Sequence, residues 1–227
     1  MSKTHFNSKL FVEFLKFCQK ALFLLFVCVT FFSCTKDPVD TGGGGTSPLT
    51  ERIITDTSYG TNPYQKMDIY LPAGRTSATK VVIFIHGGGW ESGSKSDPEY
   101  LQMFNLIKQK WPQAAVATIN YRLTSNPTVH HAEIMADVSS AVNFLVNNKG
   151  NFVTSDTLCM MGASAGGHLA MLYTYKFNSN NYVKCVADFF GPAKLNDWTW
   201  YNTFNVFINR SMTEGLTNYN GSAWNDP

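Results

Sequence analysis

The sequence predicts an α/β protein, a three-layer α/β/α sandwich built on a mostly parallel sheet. Three observations predict it. Hydrophobic residues make up 44% of the 227 positions and charged residues 15%, enough apolar content to bury a core. Val81 to Ile85 is an unbroken apolar run, the pattern of a strand covered on both faces. From that run onward, strand-like and helix-like segments alternate, which is the order of parallel strands joined by crossover helices.

The elements follow in chain order. Arg52 to Thr57 and Lys66 to Leu71 read as two early strands separated by the turn formers Gly60-Thr61-Asn62-Pro63. After Val81–Ile85, the stretch Glu99 to Trp111 places Tyr100, Met103, Phe104, Ile107 and Trp111 on one helical face, and Pro112 ends it. Ala114 to Ile119 is a further buried strand. From Ala132 to Asn147 the residues Ile134, Val138, Ala141, Val142 and Leu145 fall at helical spacing, with Asn147-Asn148-Lys149-Gly150 as the stop. Leu158 to Met161 reads as a strand, Gly167 to Tyr175 as a helix, and Lys184 to Phe190 as the next strand, closed by Gly191-Pro192.

The first 48 residues read differently. Residues 1–33 combine a basic, polar start with the apolar run Ala21 to Phe32, the pattern of an export signal. The run is short of the roughly 20 residues needed to cross about 30 Å of hydrocarbon. Phe31-Phe32-Ser33-Cys34 resembles the lipobox of bacterial lipoproteins, which implies lipidation at Cys34 and a membrane anchor, periplasmic or at the cell surface. Residues 34–48, with four consecutive glycines, read as a flexible tether to a domain spanning 49–227.

Charge excludes another class. The formal net charge is +2, but four of the 18 basic residues (Lys3, Lys9, Lys16, Lys20) stand in the leader. From Cys34 onward 14 basic residues face 15 acidic ones. No basic surface argues for nucleic acid. Five cysteines are too few for a disulfide scaffold.

Chemistry concentrates in two glycine-rich stretches. Gly162-Ala163-Ser164-Ala165-Gly166 fits G-x-S-x-G between a buried strand and a helix, a nucleophile elbow with Ser164 at its tip. His86-Gly87-Gly88-Gly89-Trp90 follows the strand Val81–Ile85, and three glycines there let main-chain amides approach a ligand, as an oxyanion hole requires. Each motif ends a buried strand, with a further strand between them.

Together these motifs resemble the α/β-hydrolase-fold esterases of the HGGGW group: hormone-sensitive-lipase-like carboxylesterases, BD-FAE-like feruloyl and acetyl-xylan esterases, and arylformamidases. The resemblance spans about residues 50 to 200 and includes Asn120-Tyr121-Arg122 and Gly162 to Ala170. It implies Ser164 as nucleophile, oxyanion donors at Gly88, Gly89 and Ala165, and loop support from His86, Gly87 and Trp90, with Trp90 walling the pocket. The implied substrate is a small-molecule or polysaccharide-linked ester, and neither a metal nor an organic cofactor is called for. An arylformamidase-like amidase is the alternative, with a non-catalytic binding lipoprotein as a third.

The family order is Ser, then Asp or Glu, then His. After Ser164 the sequence holds one histidine, His168, one turn along the same helix and expected to pack rather than act as base. The chain also stops before the strands that would carry the acid and base loops, so the last strands of the fold are expected to be missing. Residues 49–227 alone are expected to aggregate through an unpaired edge. Asp188 and Asp197 are minor candidates for the acid, set against structural or surface roles. Asp197 to Tyr201, rich in aromatics, could face a sugar or phenolic acyl group, although packing on the sheet is the plainer reading. His130-His131 reads as a surface or N-cap pair rather than a metal site, Asp137 as pairing with a polar neighbour, and Tyr121-Arg122 as a brace. Cys159 and Cys185 are expected on neighbouring strands as free thiols. Asp56, Asp68 and Glu91 show no motif spacing.

Overall fold

The computed structural model describes residues 49–195 and 212–221, all within the compact unit Ser47–Pro227. The leader, the tether with Cys34, and Asp197 to Tyr201 fall outside the described residues.

Among the described residues six strands form one sheet: β1 (Arg52–Ser58), β2 (Lys66–Leu71), β3 (Val81–Ile85), β4 (Ala115–Ile119), β5 (Leu158–Ala163) and β6 (Val183–Phe189). The spatial order is β1-β2-β4-β3-β5-β6. β1, β2 and β4 run antiparallel in turn, whereas β4, β3, β5 and β6 are parallel. β3 lies between β4 and β5, and all five of its residues are buried, as its continuous apolar run requires.

The period of two along β3 splits the core. Val81, Ile83 and Ile85 join one cluster with Ile134, Val138 and Val142 of α2 (His131–Asn147) and Leu169 of α4 (Ala165–Leu172). Val82 and Phe84 join the other with Phe104 and Ile107 of α1 (Pro98–Lys110). Burial of each such aliphatic or aromatic side chain is worth about 1.5–3 kcal/mol. The helices therefore occupy both faces, completing the three layers. A one-turn helix α3 (Lys149–Phe152) follows α2, a π-helical turn (Tyr173–Phe177) extends α4, and α5 (Met212–Asn220) closes the described chain.

Three boundaries differ from the sequence reading. Trp111 lies past the end of α1 and is 42% exposed, because Pro112 drives its predecessor out of helical angles, here to φ −128°, ψ 66°. β5 continues through Ala163, pairing Gly162 with Asp188 and Ala163 with Phe189. α4 starts at Ala165, two residues earlier than expected. Glycine's low helix propensity masks Gly166 and Gly167 as helical, but close packing demands them there.

Asp56 and Asp68, unassigned from sequence, have a shared role. The β1–β2 pairing slips between Ile54 and Thr57, where Asp56 takes φ 51°. The Asp56 amide donates to Asp68 Oδ1 at 2.8 Å. Lys95, 3% exposed, places Nζ 2.8 Å from Asp68 and 2.9 Å from Asp56. Its backbone N–H donates to Asn120 Oδ1 at 2.6 Å, so the segment after the HGGGW loop is tied to the end of β4.

Candidate active site

Ser164 sits on the sharp turn between β5 and α4 at φ 52°, ψ −121°, a left-handed conformation that costs about 1–3 kcal/mol and persists only when its surroundings enforce it. Its N–H donates to the Phe189 carbonyl at 2.8 Å and its carbonyl accepts from His168 N–H at 3.1 Å, so both sides of the turn are held. The flanking glycines are required by close approach. A Cβ on Gly162 would stand 2.2 Å from the Gly166 carbonyl oxygen. One on Gly166 would stand 2.2 Å from that of Ile85 and 2.4 Å from that of His86. Gly166→Ala therefore has only backbone to push against. It is expected to destabilise the fold by about 1–3 kcal/mol and to part α4 from β3, read as a lower melting temperature.

The HGGGW loop abuts this turn. A Cβ on Gly87 would lie 3.2 Å from Ser164 Cβ and 2.8 Å from the Ala163 carbonyl oxygen. The Gly88 carbonyl accepts from the Glu91 and Ser92 N–H groups and from Ser92 Oγ, at 3.2, 3.0 and 3.0 Å, which folds the loop back on itself. Gly88 and Gly89 adopt φ 110° and 61°, and the space beside Gly89 is open. Among the described residues the N–H groups of Gly88, Gly89 and Ala165 donate to no protein acceptor. Ala165 is the first residue of α4, where a helix leaves its amides unpaired. These are three free main-chain donors in the segments that meet at Ser164.

His86 braces the loop from below. It is fully buried, and its Nδ1 donates to the Gly87 carbonyl at 2.7 Å. Burial pushes its pKa down to about 4, with the Gly87 carbonyl pulling weakly the other way, so the ring is neutral at pH 7. Tyr121 stacks on it with centroids 4.4 Å apart and donates its hydroxyl to the His86 carbonyl at 3.2 Å. Arg122 forks onto Asp137, with Nε at 3.0 and 2.9 Å and a terminal nitrogen at 2.6 Å. Gln65 Nε2 adds a donor to Asp137 at 2.7 Å.

Trp90 is buried among the described residues. It is 2% exposed at φ 63°, with its indole stacked on Tyr219 of α5 (4.5 Å) and His168 set edge-on (5.4 Å). A large apolar ring finds more burial under a helix than facing solvent. His130 is the N-cap of α2, as the sequence allowed, with its N–H donating to Glu133 Oε2 at 3.0 Å, and both His130 and His131 also engage α5. His130 Nδ1 lies 2.8 Å from the Asn218 carbonyl oxygen, and His131 Nδ1 lies 2.6 Å from the Tyr219 hydroxyl. Glu91, likewise unassigned from sequence, accepts from Asn218 Nδ2 at 3.0 Å.

His168 packs in this aromatic cluster, 9% exposed, with burial and the neighbouring His131 holding its pKa down to about 4. Among the described residues no imidazole stands within hydrogen-bonding distance of the Ser164 hydroxyl. Asp188 is exposed on β6 and accepts from the Gly191 amide at 2.8 Å. Partial burial raises its pKa, with the Gly191 bond opposing. Cys159 and Cys185 face each other across β5 and β6 as free thiols. They line a groove of about 580 Å³ with Arg75, Val82, Trp111 and Met161, toward the opposite strand ends from Ser164.

The family model described as BD-FAE matches residues 67–218, which include both glycine motifs and α5 as far as Asn218. The chain belongs to the BD-FAE family. A probable isoprenylcysteine alpha-carbonyl methylesterase of Arabidopsis thaliana is 32% identical over 127 residues, 55% of this chain and 24% of that protein. A kynurenine formamidase of Danio rerio is 29% identical over 121 residues, 53% of this chain and 38% of that protein. The chain thus spans well under half the length of these curated relatives. Among solved structures, a hyperthermophilic esterase from Pyrobaculum calidifontis superposes with a TM-score of 0.60 at 18% identity. It covers 78% of this chain and 57% of that one, and shows the shared α/β-hydrolase fold.

Proposed function

We propose that this BD-FAE family member is a serine hydrolase acting on carboxylic esters, with Ser164 as nucleophile. One observation carries the reading: a serine held at φ 52° on a strand-to-helix turn, against a glycine loop whose amides are free to donate. Ser164 Oγ bonds to the ester carbonyl carbon, and the displaced carbonyl electron pair rests on oxygen, received by the Gly88, Gly89 and Ala165 N–H groups. Collapse expels the alcohol, which takes up the proton released by Ser164, and water then hydrolyses the acyl-enzyme. The proton relay calls for a histidine and a carboxylate, a role that His168, enclosed by aromatics, does not fill. The substrate class we favour is an acetyl or feruloyl ester on plant polysaccharide.

A second reading, formamide hydrolysis, is favoured by the kynurenine formamidase match, since a formyl carbonyl would meet the same nucleophile and donors. The protein should react with a fluorophosphonate probe at the peptide containing Ser164, and Ser164→Ala should abolish the labelling. Hydrolysis of feruloyl and acetyl esters in preference to N-formylkynurenine separates the two readings. No labelling and no turnover, together with binding of an acylated oligosaccharide, would sink both in favour of the non-catalytic lipoprotein.

We further propose, from the sequence of the leader, that lipid on Cys34 tethers the domain to a bacterial membrane facing away from the cytoplasm. Cys34→Ala should move the protein from the membrane fraction to the soluble one.

A further inference from the structure

The downstream half of the HGGGW loop is held from two places remote in sequence: the Trp90 carbonyl accepts from the Thr124 N–H at 2.9 Å, and the Trp90 and Glu91 side chains are held by α5. Two consecutive residues of α5 make the second attachment. Tyr219, 4% exposed, stacks on Trp90 with centroids 4.5 Å apart and planes 25° from parallel. Asn218 Nδ2 donates to Glu91 Oε1 at 3.0 Å. Trp90 and Glu91 directly follow Gly89, and the Glu91 N–H closes the turn onto the Gly88 carbonyl at 3.2 Å. The same two α5 residues are anchored on the far side by α2, through His131 Nδ1 to the Tyr219 hydroxyl and His130 Nδ1 to the Asn218 carbonyl.

From this geometry we propose that Tyr219 and Asn218 are positioning residues for the oxyanion loop, through which α5 and α2 hold the Gly88 and Gly89 amides in register with Ser164. The inference rests on the esterase reading above and adds residues that neither glycine motif contains. The physical reason is the backbone itself. Gly88, Gly89 and Trp90 all have positive φ, and Gly89 has no neighbour on its open side. Three consecutive left-handed residues do not hold such a path unaided, and Trp90, a bulky residue, adopts one only when its ring is fixed by packing. The Tyr219 ring supplies a large part of that packing, with His168 at the edge. Oxyanion donors act only when preorganised, so a loose loop lowers transition-state stabilisation more than substrate binding.

The test uses the full-length protein with Tyr219→Ala, Tyr219→Phe and Asn218→Ala. Tyr219→Ala should lower kcat about 10- to 100-fold, below the effect of deleting one oxyanion donor outright, while KM changes less than about twofold. Its affinity for a trifluoromethyl ketone, which mimics the tetrahedral adduct, should fall by the same factor as kcat. Tyr219→Phe keeps the ring on Trp90 and should restore most of kcat, and Asn218→Ala should show a smaller loss of the same kind. Hydrogen exchange at the Glu91 and Ser92 amides, which close the loop onto the Gly88 carbonyl, reads the loop without chemistry and should rise at least about tenfold in Tyr219→Ala. If exchange rises but even the wild type shows neither labelling nor turnover, the esterase reading fails and the loop attachment stands. Unchanged exchange with unchanged kcat in Tyr219→Ala would overturn the proposal.

Discussion

Arg122→Ala is expected to cost about 3–5 kcal/mol of folding stability, the size of effect seen when one partner of a buried ion pair is removed. Asp137 is fully buried on α2, and three of its four close donors belong to Arg122: Nε, a terminal guanidinium nitrogen and the backbone N–H. Gln65 Nε2 is the fourth. Removal of the guanidinium leaves a buried carboxylate with the Gln65 amide and one peptide N–H, which do not offset its lost hydration. The guanidinium also donates to the Glu133 carbonyl at 2.8 Å, so the first turn of α2 loosens as well. Urea unfolding at pH 7 should show the loss as a lower midpoint with an unchanged slope. The double variant Arg122→Ala with Asp137→Asn should recover part of it, because the charge is gone while an amide oxygen still accepts from Gln65. A single variant within about 0.5 kcal/mol of wild type would show that the network contributes specificity rather than stability.

Much of the molecule was legible in its sequence because the relevant signals are local. β3 announces its two buried faces through five consecutive apolar residues, and α2 its core face through Ile134, Val138, Val142 and Leu145 at helical spacing. The elbow and the HGGGW loop are legible because glycine is required where backbones nearly touch, as at Gly162 and Gly166. That same requirement hid the start of α4, since propensity counts glycine against a helix and knows nothing of the Ile85 carbonyl beside it. What was not legible depends on contacts distant in sequence. Asn218 meets Glu91 from 127 residues away, and Tyr219 meets His131 from 88. No spacing rule links Lys95 to Asp56 and Asp68, because a bulge in β1 brings them together. The burial of Trp90 belongs to this group: the loop motif places the residue, but α5 decides which way it is covered.

Mild acid should destabilise the protein by about 4 kcal/mol between pH 7.5 and pH 5, through two buried imidazoles. Burial holds His86 and His168 down to about 4, against 6.5 for an exposed ring. Between those values the unfolded chain binds protons that the native state refuses, so stability is complete above about pH 6.5 and falls as pH drops toward 4. The full difference is roughly 3 kcal/mol for each ring, and at pH 5 about 2 kcal/mol of each has been lost. His131, lowered chiefly by burial and then by Lys176, contributes with the same sign. The carboxylates held low by partners (Asp56 by Lys95, Asp156 by Lys149, Glu133 by backbone N–H groups) lose their contribution at lower pH, as each is protonated through its depressed native pKa. In the window from pH 6.5 to 4 the histidines dominate, with Asp188, raised by partial burial, opposing them at the acid end. His168→Phe should remove about half of the acid loss, since His168 Nδ1 has no partner among the described residues and its ring packs edge-on against Trp90 and Tyr219. The same substitution at His86 would strand the Gly87 carbonyl, so His168 is the cleaner probe. Chemical unfolding at pH 7.5, 6 and 5 measures the slope directly. An identical slope in the wild type and in His168→Phe would mean that the cluster under α5 opens to water before the domain unfolds, and that the attachment of α5 is weaker than its contacts imply.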